Sequence, residues 1–459
     1  MSKTDAKPLA STTISSPYPS AGIGWYSTIL LAFLYWLSIL DRTIISLLVD
    51  PIKTDLGITD VQFGMLHGLA FAVAFSLFGL AAGSLADRLN RRLVIFFSVS
   101  VWSLATAACG LAKDFGHLLI ARVGVGVGEA GLNPCATSMI TDLFPPQRRT
   151  MAMAIYAMGA SVGAGCAYLF GGMLVDAVQQ APAVVLPVLG ELKPWQTVFL
   201  IIGIPGVLLS FLSFTMPEPA RRGVQHAQQS TPWFRSLLQS YPALLRFMRA
   251  RGKFFFFHYL GFGLASIGFV GGVAWYPAHM ARTFGWTSSE IGLGLGVAMI
   301  FGGVLGKPLC GYFVDSLFRR GYMDAHFRWY AGCLIVATPI GLVAATSDIP
   351  WVFLGGYALF QLLLGPVTAV YVASLNLVTP NELRGAGVAF YSATVGLIAL
   401  SVGPIMIAVL SDYVYGGDAI GLGIATMFAI CLPLAAFFLL RGRSAMCDAV
   451  TAAQEWEPD

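Results

Sequence analysis

The sequence predicts an all-α membrane protein with twelve transmembrane helices, arranged as two pseudo-symmetric bundles of six. Three observations lead to this fold class. Of the 459 residues, 57% are hydrophobic and only 11% are charged, whereas soluble globular domains carry about 25% charged residues. Twelve apolar runs approach or exceed the ~20 residues with which a helix crosses a bilayer. A short charged motif recurs between apolar runs in both halves of the chain, which is typical of a duplicated membrane protein.

Polar breaks separate the apolar runs, and most of these breaks are short, as expected for neighbouring antiparallel helices. Two are longer: residues 177–194 form an apolar loop, and residues 217–253 contain seven Lys and Arg residues. The second divides the chain into a polar tail (1–24, disordered and cytosolic), a six-helix bundle (25–216), a basic linker (217–253), a second six-helix bundle (254–440) and a C-terminal tail (441–459). The predicted spans are 25–49, 61–86, 93–112, 117–141, 150–176, 195–216, 254–281, 289–315, 328–346, 350–378, 385–412 and 419–440.

The recurring motif follows the second span of each half. The sequence GSLADRLNRR at 83–92 returns 228 positions later as GYFVDSLFRR at 311–320. Gly83 aligns with Gly311, Asp87 with Asp315, and the two terminal arginines with Arg319 and Arg320. A charged turn that appears once in each half indicates that the halves arose from one repeat and fold alike.

The distribution of Lys and Arg predicts the orientation. With the N-terminus inside, the cytosolic segments hold 20 of the 27 basic residues and the opposite side holds four; the remaining three lie within spans. Cytosolic loops carry the excess of Lys and Arg in membrane proteins. We therefore expect both termini in the cytosol and a location in the bacterial inner membrane.

Twelve spans, a six-plus-six repeat and the pattern Gly-x-Leu-Ala-Asp-Arg-x-x-Arg-Arg after the second span together resemble the major facilitator superfamily, over residues 25–440. Two stretches are similar to its Spinster branch: Leu40-Asp41-Arg42 in the first span, and GEAGLNPCAT at 128–137 in the fourth. Spinster-like proteins carry sphingosine-phosphate-type lipids or lysophospholipids in animals. The Asp-Arg pair also occurs in families that import organic anions with protons, so the resemblance leaves both classes of cargo open.

Four charged residues fall inside the spans of the first half: Asp41, Arg42, Arg122 and Glu129. An ionised group near the middle of a bilayer costs about 2.5–3.5 kcal/mol on insertion scales. At ~1.5 Å per residue, Asp41 lies about 24 Å along the first span and Glu129 about 18 Å along the fourth. Arg122 and Glu129 are seven residues apart and share nearly the same helix face. The spacing predicts that these side chains meet in one space.

We expect this cluster to be the proton-coupling centre. In this hypothesis Asp41 and Glu129 exchange the proton, and Arg42 and Arg122 serve as charge partners and bind the substrate head group. An anionic substrate that competes for an arginine leaves a carboxylate without its counter-charge, and that carboxylate takes up a proton. The alternative is a static Asp41–Arg122 ion pair that joins two helices. Glu129 has no obvious close partner in the sequence.

The second half offers weaker candidates for cavity residues. Lys307 stands alone near the cytosolic end of the eighth span, where it is a candidate to attract a phosphate or carboxylate group. The alternative is that its ammonium group extends to the membrane interface. Tyr357, Gln361 and Tyr391 are candidate polar groups of the cavity, although aromatic residues in membrane helices are more often packing residues or interface anchors.

The resemblance implies that the charged motif is a cytosolic gate. Asp87 is expected to meet the N-terminal end of the eleventh span, where the helix dipole favours an anion. Arg88 or Arg92 is expected to pair with Asp142, and the second copy of the motif repeats the device. The alternative is topological, since the arginines also hold the loop inside. The predicted gate residues are Gly83, Asp87, Arg88, Arg92, Asp142, Asp315, Arg319 and Arg320.

The motifs of enzymes do not support a catalytic function. The sequence lacks H-E-x-x-H, its six histidines show no metal-ligand spacing, and GGVLGK at 302–307 departs from the phosphate-binding loop pattern. We expect no cofactor beyond a proton gradient and no nucleic-acid partner. A receptor or channel is the second class, but neither explains a charged gate in each half. A channel dissipates gradients without counterflow, which distinguishes it from a carrier.

The sequence therefore predicts a proton-coupled secondary active transporter that works as a monomer in the bilayer by alternating access. Arginines beside apolar and aromatic walls suit an amphipathic anion of the lysophospholipid or sphingosine-phosphate type. The alternative is a symporter or exporter of small organic anions or drugs.

Overall fold

The computed structural model describes residues 18–86, 88–187, 190–221, 233–417 and 419–454. Within these residues, twelve helices are long and apolar enough to cross a membrane, which confirms the predicted fold class. Their bounds are Ala21–Leu47, Asp60–Gly83, Arg91–Cys109, Phe115–Leu143, Pro146–Gln180, Pro194–Thr215, Gly252–Phe284, Ser288–Arg319, Ala325–Ala345, Pro350–Val378, Glu382–Val414 and Ile420–Arg441. We number them span 1 to span 12.

The connections contain more structure than the sequence predicted. A helix at Val49–Leu56 follows span 1, and the loop at 177–194 contains a hairpin of Val184–Leu186 and Gly190–Leu192. The basic linker contains a helix at Trp233–Ala250, which we call the linker helix. The C-terminal tail contains a further helix, the C-terminal helix, at Arg443–Gln454.

These two extra helices form because each has one apolar face to bury. On the linker helix, Leu244 is fully buried while Arg246 and Arg249 are exposed. On the C-terminal helix, Met446 and Val450 are one turn apart and both fully buried.

Span 1 also begins at Ala21, four residues before the predicted start, because the helix continues beyond the apolar run.

Several spans are interrupted rather than continuous. Span 4 consists of helices Phe115–Glu129 and Leu132–Leu143, and span 10 of Pro350–Leu364 and Val367–Val378. Both breaks fall in the fourth helix of their half. The first contains Gly131 and is followed by Pro134, and the second contains Gly365 and Pro366. Proline interrupts a helix because it cannot donate a backbone hydrogen bond. Span 2 contains a π-helical turn at Met65–Leu69. Such turns are frequent at functional sites.

The two halves meet at one end of the molecule and separate towards the other. We call the end with the linker helix and the C-terminal helix the linker end, and the opposite one the far end. Towards the far end, a Cβ added at Gly68 of span 2 would lie 2.1 Å from the Leu400 carbonyl oxygen of span 11. One added at Gly172 of span 5 would lie 2.2 Å from the Ser288 carbonyl oxygen at the start of span 8. Glycine is required at both positions because backbones touch there.

Closer to the linker end spans 2 and 11 are apart, whereas spans 5 and 8 stay in contact as far as Ser161 and Gly303, where an added Cβ would lie 3.4 Å from the Ser161 side chain. A Cβ added at Gly79 or Gly83 of span 2, or at Gly385 or Gly396 of span 11, would meet no atom within 4 Å. The same holds for Gly311 near the end of span 8. The space between the halves therefore opens towards the linker end.

Candidate functional site: a buried charge cluster in the first half

Span 1 brings the side chains of Ser38, Asp41 and Arg42 to the centre of the first half. Ser38 and Arg42 are four residues apart, so they lie on the same helix face. Both donate to one oxygen of Glu129: the Ser38 hydroxyl at 2.8 Å, and the Arg42 Nε in an ion pair. Glu129 itself is fully buried and is the last residue of its helix before the break in span 4. Its other oxygen, Oε1, has no hydrogen-bond partner among the described residues.

Arg42 is the accessible member of the cluster. Its guanidinium lies over the rings of Phe71 and Phe75, 4.7 Å from each centroid, and cation–π contacts of this kind stabilise a desolvated cation. Its side chain is 26% exposed, whereas that of Glu129 is 0% exposed. One terminal nitrogen, Nη2, has no hydrogen-bond partner in the described part of the chain. An anion that reaches the cluster would therefore meet Arg42 before Glu129.

Asp41 and Arg122 complete the cluster, but they do not form the hydrogen-bonded ion pair that the alternative interpretation required. Asp41 is 3% exposed and lies within electrostatic range of Glu129, Arg122 and Arg42. Its Oδ1 accepts no hydrogen bond from the described residues. Arg122 is fully buried, and its Nε donates over a long 3.5 Å to the Leu66 carbonyl in the π-helical turn. The hydrogen-bonded ion pair of this cluster is Arg42–Glu129.

The arrangement has a clear electrostatic consequence. Two carboxylates and two guanidinium groups share one buried volume, so the cluster is neutral when all four are ionised. Within the described part of the chain, only Glu129 has a hydrogen-bonded cation, and Glu129 and Asp41 each have an oxygen without a donor. A buried carboxylate that loses its cation is far more stable when protonated. The cluster can therefore exchange an arginine contact for a proton.

The four candidate cavity residues of the second half have different surroundings. Lys307 donates to the Ser161 hydroxyl of span 5, so it joins the two halves rather than standing alone. Tyr357 and Gln361 are buried and hydrogen-bonded to each other at 2.7 Å. Tyr391 is 1% exposed and packs against the Tyr371 ring at 4.2 Å. The Tyr391 hydroxyl has no hydrogen-bond partner among the described residues.

At the linker end, the first copy of the charged motif packs within its own half. Asp142 was predicted to pair with Arg88 or Arg92, but its ion pair is with Arg91, whose Nη1 donates to Asp142 at 2.5 Å and whose Nε donates to Glu218 at 2.7 Å. Arg92 instead donates to the Met216 carbonyl at 2.9 Å. The reason is helical phase, because Asn90 caps the helix and places the first residue after it towards spans 4 and 6.

Among the described residues, no ion pair joins the remaining gate positions of one half to the other half. Asp87 lies outside the described residues. Asp315, Arg319 and Arg320 are exposed. Gly83 has open space around it, as described above. The exposed side chains of the second copy and the open space at Gly83 leave room for contacts that form in another conformation.

Removal of the Arg91 side chain is expected to destabilise the fold. Arg91 is fully buried and makes four hydrogen bonds, and Arg91→Met leaves the largely buried Asp142 without this cation. Loss of one partner from a buried pair costs about 3–5 kcal/mol. Thermal unfolding of the purified protein should show a clearly lower midpoint. Arg148→Met, at an exposed arginine, is the matched control and should leave the midpoint unchanged; equal midpoints for the two variants would contradict the structural role.

A second charged network closes the far end. Arg282 of span 7 donates to Asp50 at 2.7 and 3.0 Å and to Asp60 at 2.8 and 2.9 Å. Asp60 is 1% exposed and also pairs with Lys53. Next to it, the Asp412 carboxylate of span 11 accepts from the Val61 backbone N–H at 3.4 Å. The network therefore ties spans 7 and 11 of the second half to the first half.

Sequence reasoning missed several of these residues. Ser38 was overlooked, although its position one turn before Arg42 is a signal that it shares that face. Arg282 entered the sequence analysis only as one of the four basic residues outside the cytosolic segments, and Asp50 and Asp60 were not considered. The alignment of the repeat pairs Gly57 with Gly285, which places Asp60 and Arg282 close to the same membrane surface.

Comparison with known proteins adds an independent line of information. The family model described as Major Facilitator Superfamily matches residues 31–323 and 259–446. An MFS-type efflux pump of Mycolicibacterium smegmatis is 27% identical, over 88% of this chain and 89% of its own length. Protein spinster homolog 1 of Mus musculus is 27% identical, over 86% of this chain and 74% of its own.

A solved structure has the same fold. The crystal structure of a bacterial homologue of the human lysosomal transporter Spinster, inward-facing and unoccupied, superposes with a TM-score of 0.74 at 24% identity. The match covers 96% of this chain and 100% of that one.

Proposed function

Since the chain belongs to the major facilitator superfamily, we propose that it is a proton-coupled transporter that moves an amphipathic, anionic, lipid-like molecule by alternating access. Transport by a multi-pass membrane protein follows from the family. The resemblance to Spinster proteins that the sequence predicted is confirmed by the relatives. The proposal adds the coupling ion and the class of substrate.

One observation carries the proposal: the partly exposed Arg42 is the hydrogen-bonded cation of the fully buried Glu129. An anionic head group that binds Arg42 draws it away from Glu129. Glu129 then retains only the Ser38 hydroxyl as a donor, so it takes up a proton. Asp41, the second carboxylate of the cluster, is available to pass or share that proton. Substrate and proton occupancy rise together in this scheme.

Alternating access supplies the movement. In the present conformation the halves are held together at the far end by Arg282 and separate at the linker end. We propose that the linker end is cytosolic, in the bacterial inner membrane, because most Lys and Arg residues lie there. A bound anion and the proton together leave the cluster without net charge, which lowers the free energy needed to bring the two halves together at the linker end around the substrate. The open space at Gly83 would then be filled by span 11, with Asp87, Arg88, Asp315 and the neighbouring arginines as the gate.

The lipid-like character of the substrate rests on the apolar surroundings of Arg42. Its guanidinium is enclosed by Phe71 and Phe75, and Tyr35 stacks on Tyr156 at 5.1 Å nearby on spans 1 and 5. A head group with an attached acyl chain gains from such walls through burial of apolar surface, whereas a short dianion does not.

A second candidate is export of a small organic anion or drug. It is favoured by the similarity to the MFS-type efflux pump, which spans nearly the whole chain. Such a substrate would use the arginines of the same cluster and leave the apolar walls without a role.

A stabilisation screen separates the two candidates. Purified protein is heated with lysophosphatidylglycerol, with succinate, or with a cationic drug, and the unfolding midpoint is recorded. We expect the lysolipid to stabilise at concentrations at least tenfold below those of succinate, and Arg42→Gln to abolish this effect while Arg148→Gln retains it. Stabilisation by succinate or by the drug at the lower concentration would refute the lipid-like assignment.

A further inference from the structure

An exposed basic surface surrounds the point where the linker helix, span 7 and the C-terminal helix meet. Two adjoining cavities of about 620 and 530 Å³ lie there and share Gly252, Lys253, Ala445 and Asp448 in their walls. Arg249, Arg251 and Lys253 contribute three cations to the larger cavity. Asp448 is the carboxylate on its rim, so cations outnumber anions by three to one.

Two of the three cations of this surface are available to bind a ligand. Arg249 and Lys253 are exposed and have no ion-pair or hydrogen-bond partner among the described residues. Arg251 has a different role, because its Nη1 donates to the carbonyls of Val378 and Ala449, each at 3.1 Å. It fixes the end of span 10 and the C-terminal helix to the start of span 7, and thereby shapes the cavity.

The position of the surface relative to the membrane identifies the ligand. Lys253 is the second residue of span 7, at the depth of the lipid head groups. Phe256 lies one turn deeper on the same face and is 55% exposed. It packs at 6.2 Å against Phe438 of span 12, whose neighbour Phe437 is also 55% exposed. An apolar track between spans 7 and 12 thus begins directly below the cations.

We propose that this surface binds an anionic phospholipid of the leaflet at the linker end. Its phosphate lies between Arg249 and Lys253, and one acyl chain follows Phe256 into the groove between spans 7 and 12. Basic residues next to a membrane helix attract anionic lipids in this way. The lipid would join the linker helix to the C-terminal helix.

Native mass spectrometry of the full chain in detergent tests the proposal. Phosphatidylglycerol, phosphatidylcholine and glycerol phosphate are titrated into wild type, Arg249→Gln/Lys253→Gln and the charge-matched control Arg148→Gln/Lys113→Gln. We expect phosphatidylglycerol to bind wild type and control alike, and the first variant roughly 30-fold more weakly. Asp448→Asn should bind about fivefold more tightly. Both cation positions are exposed, so equal unfolding midpoints without lipid verify that the variants fold.

Three outcomes would overturn the proposal. Equal binding of phosphatidylcholine would mean that the charge does not select the lipid. Equal binding of glycerol phosphate would identify the surface as a site for free phosphates. Unchanged affinity in Arg249→Gln/Lys253→Gln, or in Asp448→Asn, would place the head group elsewhere.

Discussion

Glu129→Gln is expected to preserve substrate exchange and to eliminate its response to a pH gradient. Glutamine still accepts from Ser38 and Arg42 but carries no charge, so it resembles the protonated carboxyl group permanently. With the membrane potential clamped at zero, a pH difference of one unit lets a one-proton carrier concentrate its substrate about tenfold. Proteoliposomes containing Glu129→Gln should equilibrate the substrate to a ratio of about one, with counterflow retained.

The matched control for this variant is Glu290→Gln. Glu290 caps the start of span 8 at the far end and is exposed, so the same substitution there should leave the accumulation ratio unchanged. Full accumulation by Glu129→Gln would remove Glu129 from the coupling mechanism.

Arg282→Gln is expected to shift the conformational equilibrium by opening the far end. The variant loses paired contacts from Arg282 to Asp50 and to the buried Asp60, which join span 7 to the first half. Asp60 keeps Lys53 as a cation in this variant, so the loss is closer to that of a hydrogen bond to a charged group, about 1.5–3 kcal/mol. Every 1.4 kcal/mol changes an equilibrium constant tenfold, and we therefore expect the closed far end to lose at least about tenfold in relative population.

Spin labels across the far end measure this change. The seven native cysteines are replaced by alanine, and labels are placed at Lys113→Cys in the first half and Asp348→Cys in the second, both at exposed positions. Wild type should give one short distance, and Arg282→Gln should add a longer one. Arg328→Gln, which breaks an ion pair with Asp324 beside the linker end, is the control. An unchanged distance distribution in Arg282→Gln would show that the network does not hold the halves together.

Hydropathy and the repeat were sufficient to predict the spans, because burial in lipid imposes a length and a composition on every helix. The amphipathic helices at Trp233–Ala250 and Arg443–Gln454 were missed because their apolar faces are too narrow to register as spans. Their charged faces instead suggested solvated connections.

The members of the charge cluster could be predicted from the sequence, but their pairing could not. Depth estimates brought Asp41, Arg122 and Glu129 to one space, yet rotation about each helix axis decides which atoms touch. The cluster also includes a helix break directly after Glu129 and a π-helical turn in span 2, whose Leu66 carbonyl accepts from Arg122. Neither feature follows from residue spacing. The ion pair between Arg42 and Glu129 was therefore recognised only in the structure. The same reason made Arg91 rather than its neighbours the principal partner of Asp142.

Proton uptake on substrate binding tests the coupling mechanism most directly. Purified protein in weakly buffered detergent solution is mixed with the ligand identified by the stabilisation screen, and a pH-sensitive dye records the protons taken up. We predict about one proton per bound ligand in wild type and in Glu290→Gln, and none in Glu129→Gln although the ligand still binds. Binding by wild type without any proton uptake would contradict the exchange of Arg42 for a proton at Glu129.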